Sequence, residues 1–106
     1  MKLWVDDLRP APAGYQWAKS VDEALWYLRN HNKINAVTYN FFRIELLDLD
    51  HDAGNYATSG GDYIEILNWM ERHNINDIPI HLHTMNPVGR ENMRRIILHN
   101  GWKQIY

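Results

Sequence analysis

Three short stretches of this 106-residue chain concentrate side chains that do chemistry. The first is Asp6-Asp7, directly after Leu3-Trp4-Val5. A carboxylate pair of this kind suits Mg²⁺ or another hard cation, which takes oxygen ligands. Adjacent strand residues point to opposite faces, so both acids converge only if the chain turns, and the loop that follows supplies the turn. The plainer alternative is that the two acids cap the next segment or stay solvated. The second stretch is Leu49-Asp50-His51-Asp52, followed by Ala53-Gly54. Asp48 and Asp50 share a face and His51 points away from them. Like charges this close are costly unless a cation or a proton relieves them, which favours a site over a solvated acidic loop with Asp48 capping its own strand.

The third stretch runs from His81 to Asn92. His81 and His83 lie on one face of a strand. His81 reads as a deeper, hydrogen-bonded core histidine, whereas His83 and Thr84 fall near the strand end. The helix that follows presents free N–H groups, a close-approach glycine (Gly89) and Arg90, with Asn86 as its cap. A helix N-terminus beside an arginine is a natural phosphate site; an ordinary capped helix with a surface arginine is the alternative. Arg9 can point the same way. Carboxylates for a metal, flanked by two arginines and a helix start, suit a phosphate ester bound through the metal. Arg94-Arg95 reads as a solvated face. Tyr56 and Tyr63, beside the acidic loop, stay open as base-stacking platforms.

These groups need elements to position them. Lys2–Val5 and Tyr15–Lys19 are short strands. Ser20 opens a helix with capping-box spacing to Glu23, and Val21, Ala24, Leu25 and Leu28 follow at helical intervals. Residues 36–42 are ambiguous, with aromatics and Val favouring an extended form. Ile44–Leu49 is a strand ending in acids. Asp62 and Glu65 repeat the capping logic before a helix to about Arg72. Ile78–His83 is a strand, Pro87 starts a helix that Asn100-Gly101 stops, and Trp102–Tyr106 is a final strand. Strands alternating with helices predict an α/β three-layer sandwich with a mostly parallel sheet in one domain, residues 1–106. Ligands of such sheets bind outside the carboxyl ends of the strands, where the acids cluster.

Composition narrows the chemistry. There is no cysteine, which excludes a disulfide framework, a thiolate metal site and a cysteine nucleophile. A net charge of −2 supplies no global basic field, so duplex DNA is not an expected partner. No apolar run is long enough for a membrane span, and two acids interrupt any signal-peptide pattern at once, which predicts a cytoplasmic protein without a membrane partner. Six histidines remain as the acid–base or soft ligand groups.

The segments Trp4-Val5-Asp6-Asp7-Leu8-Arg9-Pro10, Leu49-Asp50-His51-Asp52-Ala53-Gly54, Gly60-Gly61-Asp62 and His83-Thr84-Met85-Asn86-Pro87-Val88-Gly89-Arg90 resemble the cyclic-phosphate processing receiver-like family, divergent relatives of response-regulator receiver domains. The resemblance runs from residue 1 to about 102. It implies a receiver/flavodoxin-like fold with the first helix shortened to the loop Arg9–Gly14 and no final helix. It also implies handling of cyclic phosphates on nucleotides or RNA ends. By position, Asp50 corresponds to the phospho-accepting aspartate of receivers, Asp6 and Asp7 to their metal-binding acids, and Thr84 to their switch hydroxyl. The receiver lysine at the end of the last strand is missing, since Lys103 falls near that strand's start. Histidines at a phosphate site point to acid–base work rather than stable phosphoryl-aspartate signalling.

The leading expectation is therefore metal-assisted hydrolysis of a cyclic phosphate. Asp6, Asp7, Asp50 and Asp52 are the expected ligands of a divalent cation, Mg²⁺ or Mn²⁺. Arg9, Asn86, Gly89 and Arg90 are the expected phosphate contacts, and Asp50, His51, His83 and Thr84 the catalytic groups. The residues do not choose between His51 and His83 as acid or base. A non-catalytic module binding a phosphorylated ligand or protein is the alternative, and phosphotransfer to Asp50 is a third reading.

Overall fold

Ser20 caps the first helix as its spacing predicts: its hydroxyl accepts from the Glu23 amide at 3.0 Å. The Glu23 carboxylate reaches back to the Lys19 amide, one residue before the cap. The computed structural model describes residues 1–106. In chain order it contains β1 (Lys2–Val5), β2 (Tyr15–Ala18), α1 (Val21–Arg29), β3 (Lys33–Ile34), β4 (Phe41–Phe42), β5 (Leu46–Leu49), a 3₁₀ turn (Gly54–Thr58), α2 (Ile64–Arg72), β6 (Ile80–Leu82), α3 (Pro87–Asn100) and β7 (Gln104–Ile105). The Asn86 side chain caps α3 by accepting from the Gly89 amide, Pro87 follows it, and Gly101 ends the helix at φ 68°. That left-handed turn is the one glycine tolerates best.

Asp62 is a correction. It does not cap α2 with its side chain. Its carboxylate accepts from the Ala53 amide at 3.0 Å and so ties down the loop after β5, while its backbone carbonyl takes the Glu65 amide. Residues 36–42 are extended only at Phe41–Phe42, which pairs antiparallel with Lys33–Ile34 as a separate two-stranded sheet. Between them the chain turns, with Asn35 accepting the amides of Val37 and Thr38.

The main sheet has the order β2-β1-β5-β6-β7, with every neighbouring pair parallel. This is an α/β, receiver/flavodoxin-like arrangement. From β2 onward each crossover carries a helix and moves in the same direction across the sheet. Right-handed connections therefore stack α1, α2 and α3 on one face. There Leu3, Val5, Leu47, Leu49, Ile80 and Leu82 meet Leu25, Leu28, Ile66, Leu67, Met70, Met93 and Ile97 in one buried cluster. The β1-to-β2 link runs the opposite way, so it lies on the other face, and it holds no helix. The outer layer on that face is the loop Asp6–Gly14 itself. Trp4 and Trp17, whose rings stand on that face, donate their indole N–H groups to the Arg9 and Asp6 carbonyls at 2.8 Å each. No helix is long and apolar enough to cross a membrane.

Candidate functional site

The site is a consequence of register. Val5 pairs with Leu49 and Leu49 with Leu82, so the next residues of the three strands, Asp6, Asp50 and His83, form one row at the carboxyl edge of the sheet. Ladder hydrogen bonds extend into the row: Asp50 donates its amide to Val5 and His83 its amide to Leu49, both at 2.9 Å. Because side chains alternate, all three stand on the helix-free face, as do Trp4, Asp48 and His81 two residues earlier.

Asp6 is buried. One oxygen accepts the amides of Leu8 and Arg9, at 2.9 and 2.8 Å. The other lies 2.9 Å from Arg9 Nε and 3.0 Å from His83 Nε2. Burial pushes this carboxyl up, but the two amides, His83 and the guanidinium outweigh it and hold it below its ordinary value. Asp50 accepts the His51 amide on one oxygen at 2.8 Å and faces Arg9 Nη2 with the other at 3.1 Å. Arg9 thus bridges the two carboxylates. Burial opposes its charge, yet the bond to Asp50 and the charges of Asp6 and Asp50 hold its proton more firmly than usual.

His83 Nδ1 lies 2.7 Å from Asp48 Oδ1, and His81 Nδ1 lies 2.8 Å from the same oxygen. Asp48 therefore fixes the His83 ring from behind, and Trp4 stacks on it from the side. Metal-ligating histidines share this arrangement, with one nitrogen tied to a carboxylate so that the other faces the ion. The Asp6 and Asp50 oxygens and a His83 nitrogen all lie within 4.8 Å of one another. Two carboxylates and an imidazole fit a divalent cation such as Mn²⁺, and the oxygens also suit Mg²⁺.

The remaining predicted ligands and contacts lie elsewhere. Asp7 is not part of that trio. Its Oδ2 sits against Gly54, where an added Cβ would come within 2.3 Å. Burial, opposed by a backbone hydrogen bond, together with the charges of Asp6, Asp50 and Asp52 pushes Asp7 above its ordinary value. Asp52 is also outside the trio: it faces His51 Nδ1 at 2.8 Å and accepts from the Asn86 amide group at 3.4 Å. His51 points away from Asp50 toward α3, and the close approach at Gly89 is made by its ring; a Cβ there would lie 2.4 Å from His51 Cγ.

The N–H groups of Asn86, Gly89 and Arg90 at the start of α3 already have partners. Gly89 donates to the Asn86 side chain, Arg90 to the Asn86 carbonyl, and Asn86 to the Thr84 hydroxyl. The Arg90 guanidinium donates to the Thr84 carbonyl and lines a cleft beside β7. Thr84 itself is buried. Lys103 lies at the opposite edge of the sheet, where its carbonyl accepts the Ile80 amide at 2.9 Å.

Two residues escaped the sequence reading. Asp48 is the shared partner of both histidines rather than a strand cap. His81 is hydrogen-bonded as expected but half-exposed on the helix-free face, not in the core. The signal was present as period-two pairs on three strands: Trp4 with Asp6, Asp48 with Asp50, His81 with His83. Tyr63, by contrast, is core. Its hydroxyl donates to the Lys19 carbonyl at 2.7 Å, and burial with the nearby acids pushes it far up.

A parallel sheet of order β2-β1-β5-β6-β7 whose first and central strands end in acids, with a hydroxyl residue after the fourth, defines a receiver-like domain. The sequence model of the cyclic-phosphate processing receiver domain matches residues 1–99, and the chain belongs to that family. No curated protein and no solved structure matches it.

Proposed function

We propose that the protein hydrolyses a cyclic phosphate on a nucleotide or an RNA end, using Mg²⁺ or Mn²⁺ held by Asp6, Asp50 and His83. The convergence of those three side chains on one point, in a member of a cyclic-phosphate processing family, carries this reading. When bound, a divalent cation polarises a phosphoryl oxygen and lowers the pKa of a coordinated water. Asp48 accepts a hydrogen bond from the Nδ1–H of His83, so that Nε2, which faces Asp6 as a hydrogen-bond partner, would give up its own proton to serve as a ligand when a cation is bound. Arg9 gives up its carboxylate partners and pairs its planar fork with the phosphoryl oxygens. His51 is the acid–base group. Both nitrogens of His83 are engaged, whereas His51 is held by Asp52 through Nδ1 and keeps Nε2 for a proton. It takes the proton of the attacking water and returns it to the ribose oxygen that leaves phosphorus, which yields a phosphomonoester.

A second reading rests on Arg9 and the start of α3. With the guanidinium closing the carboxylates against a metal, the domain would bind a phosphorylated ligand or partner through Arg9 and the α3 terminus without turnover. Incubation with a panel of cyclic nucleotides and cyclic-phosphate-ended RNA, with Mg²⁺ or Mn²⁺, decides between them. Turnover that Asp50→Asn abolishes supports hydrolysis. Absence of turnover, or turnover unchanged in Asp50→Asn, overturns it, and ligand-induced stabilisation without product supports the binding module.

A further inference from the structure

We propose that the cleft between β6, β7 and α3 binds a second phosphate of the substrate, so that the protein acts on the end of an RNA strand in preference to a mononucleotide. The proposal rests on the cyclic-phosphate reading of the Asp6–Asp50–His83 cluster and adds to it the length of the substrate. The cleft has a volume of about 340 Å³ and is walled by His81, Arg90, Arg94, Gln104, Ile105 and Tyr106, with no carboxylate side chain among its lining residues. That volume falls at the lower end of ordinary ligand sites.

Its charge comes from Arg90 and Arg94. Acids outnumber Lys and Arg by thirteen to eleven in this chain. Arg9 and Arg43 are paired with acids, Arg29 lies over the Trp69 ring, and Arg72 and Arg95, which like Arg90 and Arg94 form no ion pair, do not line this cleft. Arg90 and Arg94 form no ion pair; the only side-chain bond of Arg90 goes to the Thr84 carbonyl, which anchors the guanidinium without neutralising it. One helical turn separates the two arginines, which places their Cβ atoms about 5–6 Å apart on one face of α3. Two guanidinium forks so spaced match the oxygens of a phosphodiester.

Its position ties it to the cluster. His81 lines the cleft and shares Asp48 Oδ1 with His83, and Arg90 holds the residue that follows His83. His81 on β6 and His83 just past its end lie two residues apart, about 6.6 Å along the strand, so one wall of the cleft is continuous with the strand that carries the cluster's histidine. The exposed Tyr106 ring gives a base a stacking surface and the Gln104 amide gives it a hydrogen-bonding edge. An acidic peptide would satisfy the arginines but would not use the exposed ring.

Two measurements on the full chain test this. The first titrates the protein with a 5′-phosphorylated tetraribonucleotide that has an ordinary 3′ end, at several salt concentrations. The expected result is binding whose logarithmic salt slope falls by about 0.7 in Arg94→Ala, the loss of one single-strand phosphate contact. The second compares turnover of a cyclic-phosphate-ended tetranucleotide with that of a cyclic mononucleotide. The expected kcat/KM ratio is tenfold or more, collapsing toward one in Arg94→Glu while mononucleotide turnover stays unchanged. Equal turnover of both substrates with no effect of Arg94→Glu overturns the proposal and leaves the hydrolase reading standing. Binding that depends on Arg94 without turnover of either substrate leaves the cleft standing and overturns the hydrolase reading. An acidic peptide that binds where the tetranucleotide does not also overturns the cleft's assignment.

Discussion

The indole of Trp4 lies face to face with the imidazole of His83, ring centroids 3.7 Å apart and planes 2° from parallel. The indole N–H is in turn held by the Arg9 carbonyl. One residue thus joins the loop that carries Arg9 to the histidine that faces Asp6. The position of His83 is set from three directions: Trp4 against its face, Asp48 on one nitrogen and Asp6 on the other.

Asp48 should matter as a positioning residue. Asp48→Asn keeps size and removes the charge that holds Nδ1 protonated. Outer partners of ligating histidines typically govern metal affinity by about 10–100-fold. The expected outcome is a loss of Mn²⁺ affinity in that range by calorimetry, with a native circular dichroism spectrum. Unchanged affinity would mean that His83 is not a ligand.

Arg9 occupies the place a cation would take. In Arg9→Ala the carboxylates of Asp6 and Asp50 lose their internal counter-ion, and a bound metal no longer has to displace it. Arg9 is 45% exposed, so the pair is discounted for solvent screening. Mn²⁺ should bind about fivefold more tightly, the equivalent of about 1 kcal/mol. KM for a cyclic phosphate should rise at the same time, because the guanidinium that pairs with phosphate is gone. Metal affinity that falls in Arg9→Ala would refute the exchange.

Gly89 separates the acid–base assignment from folding. An alanine there improves the helix by about 1 kcal/mol in isolation. Its Cβ would nevertheless sit within 2.4 Å of His51 Cγ, so the ring must turn away and leave Asp52. The expected result is a helical protein with a thermal midpoint shifted by only a few degrees and turnover reduced about 10²–10⁴-fold, the usual contribution of a positioned acid or base. Retained turnover would remove His51 from the mechanism.

Much of this geometry was legible in the residues. Capping at Ser20 and Asn86, strand ends at Asp6 and Asp50, and the stop at Gly101 follow from local chemistry that acts within a few residues. The trio itself depends on which residue of β1 pairs with which of β5 and β6, a non-local fact that periodicity cannot supply. That is why the residues alone point to Asp7 and Asp52 as ligands and to His83 only as an acid–base group, whereas His83 is the third member of the trio. Arg90 was misplaced for a related reason. Its sequence position puts it on the first turn of α3, but the direction of its guanidinium is decided by the Thr84 carbonyl across the turn. Asp62 shows the same limit, since a cap-type residue was drawn to the Ala53 amide by tertiary contact.

The last prediction concerns the far end of the sheet, at His31 and Asp77. His31 Nδ1 accepts the Ile44 amide at 3.0 Å, so its proton is on Nε2, which donates to Asp77 at 3.0 Å. Asn32 donates to the other carboxylate oxygen at 2.6 Å. Burial pushes Asp77 up, but the hydrogen bonds from Asn32 and His31 outweigh it and hold the carboxyl below its ordinary value. A depressed folded value means that the ionised form favours folding. That contribution is fully present above the ordinary carboxyl value of about 3.9 and is lost as pH falls through the lower folded value. Asp77→Asn should therefore lower the thermal midpoint at pH 7, and the difference from the parent should shrink steadily below about pH 4. A deficit that stays the same at pH 3 and pH 7 would assign the effect of Asp77 to shape alone. A shrinking one would show that its charge ties the end of α1 to the segment entering β5, the strand that carries Asp48 and leads into Asp50.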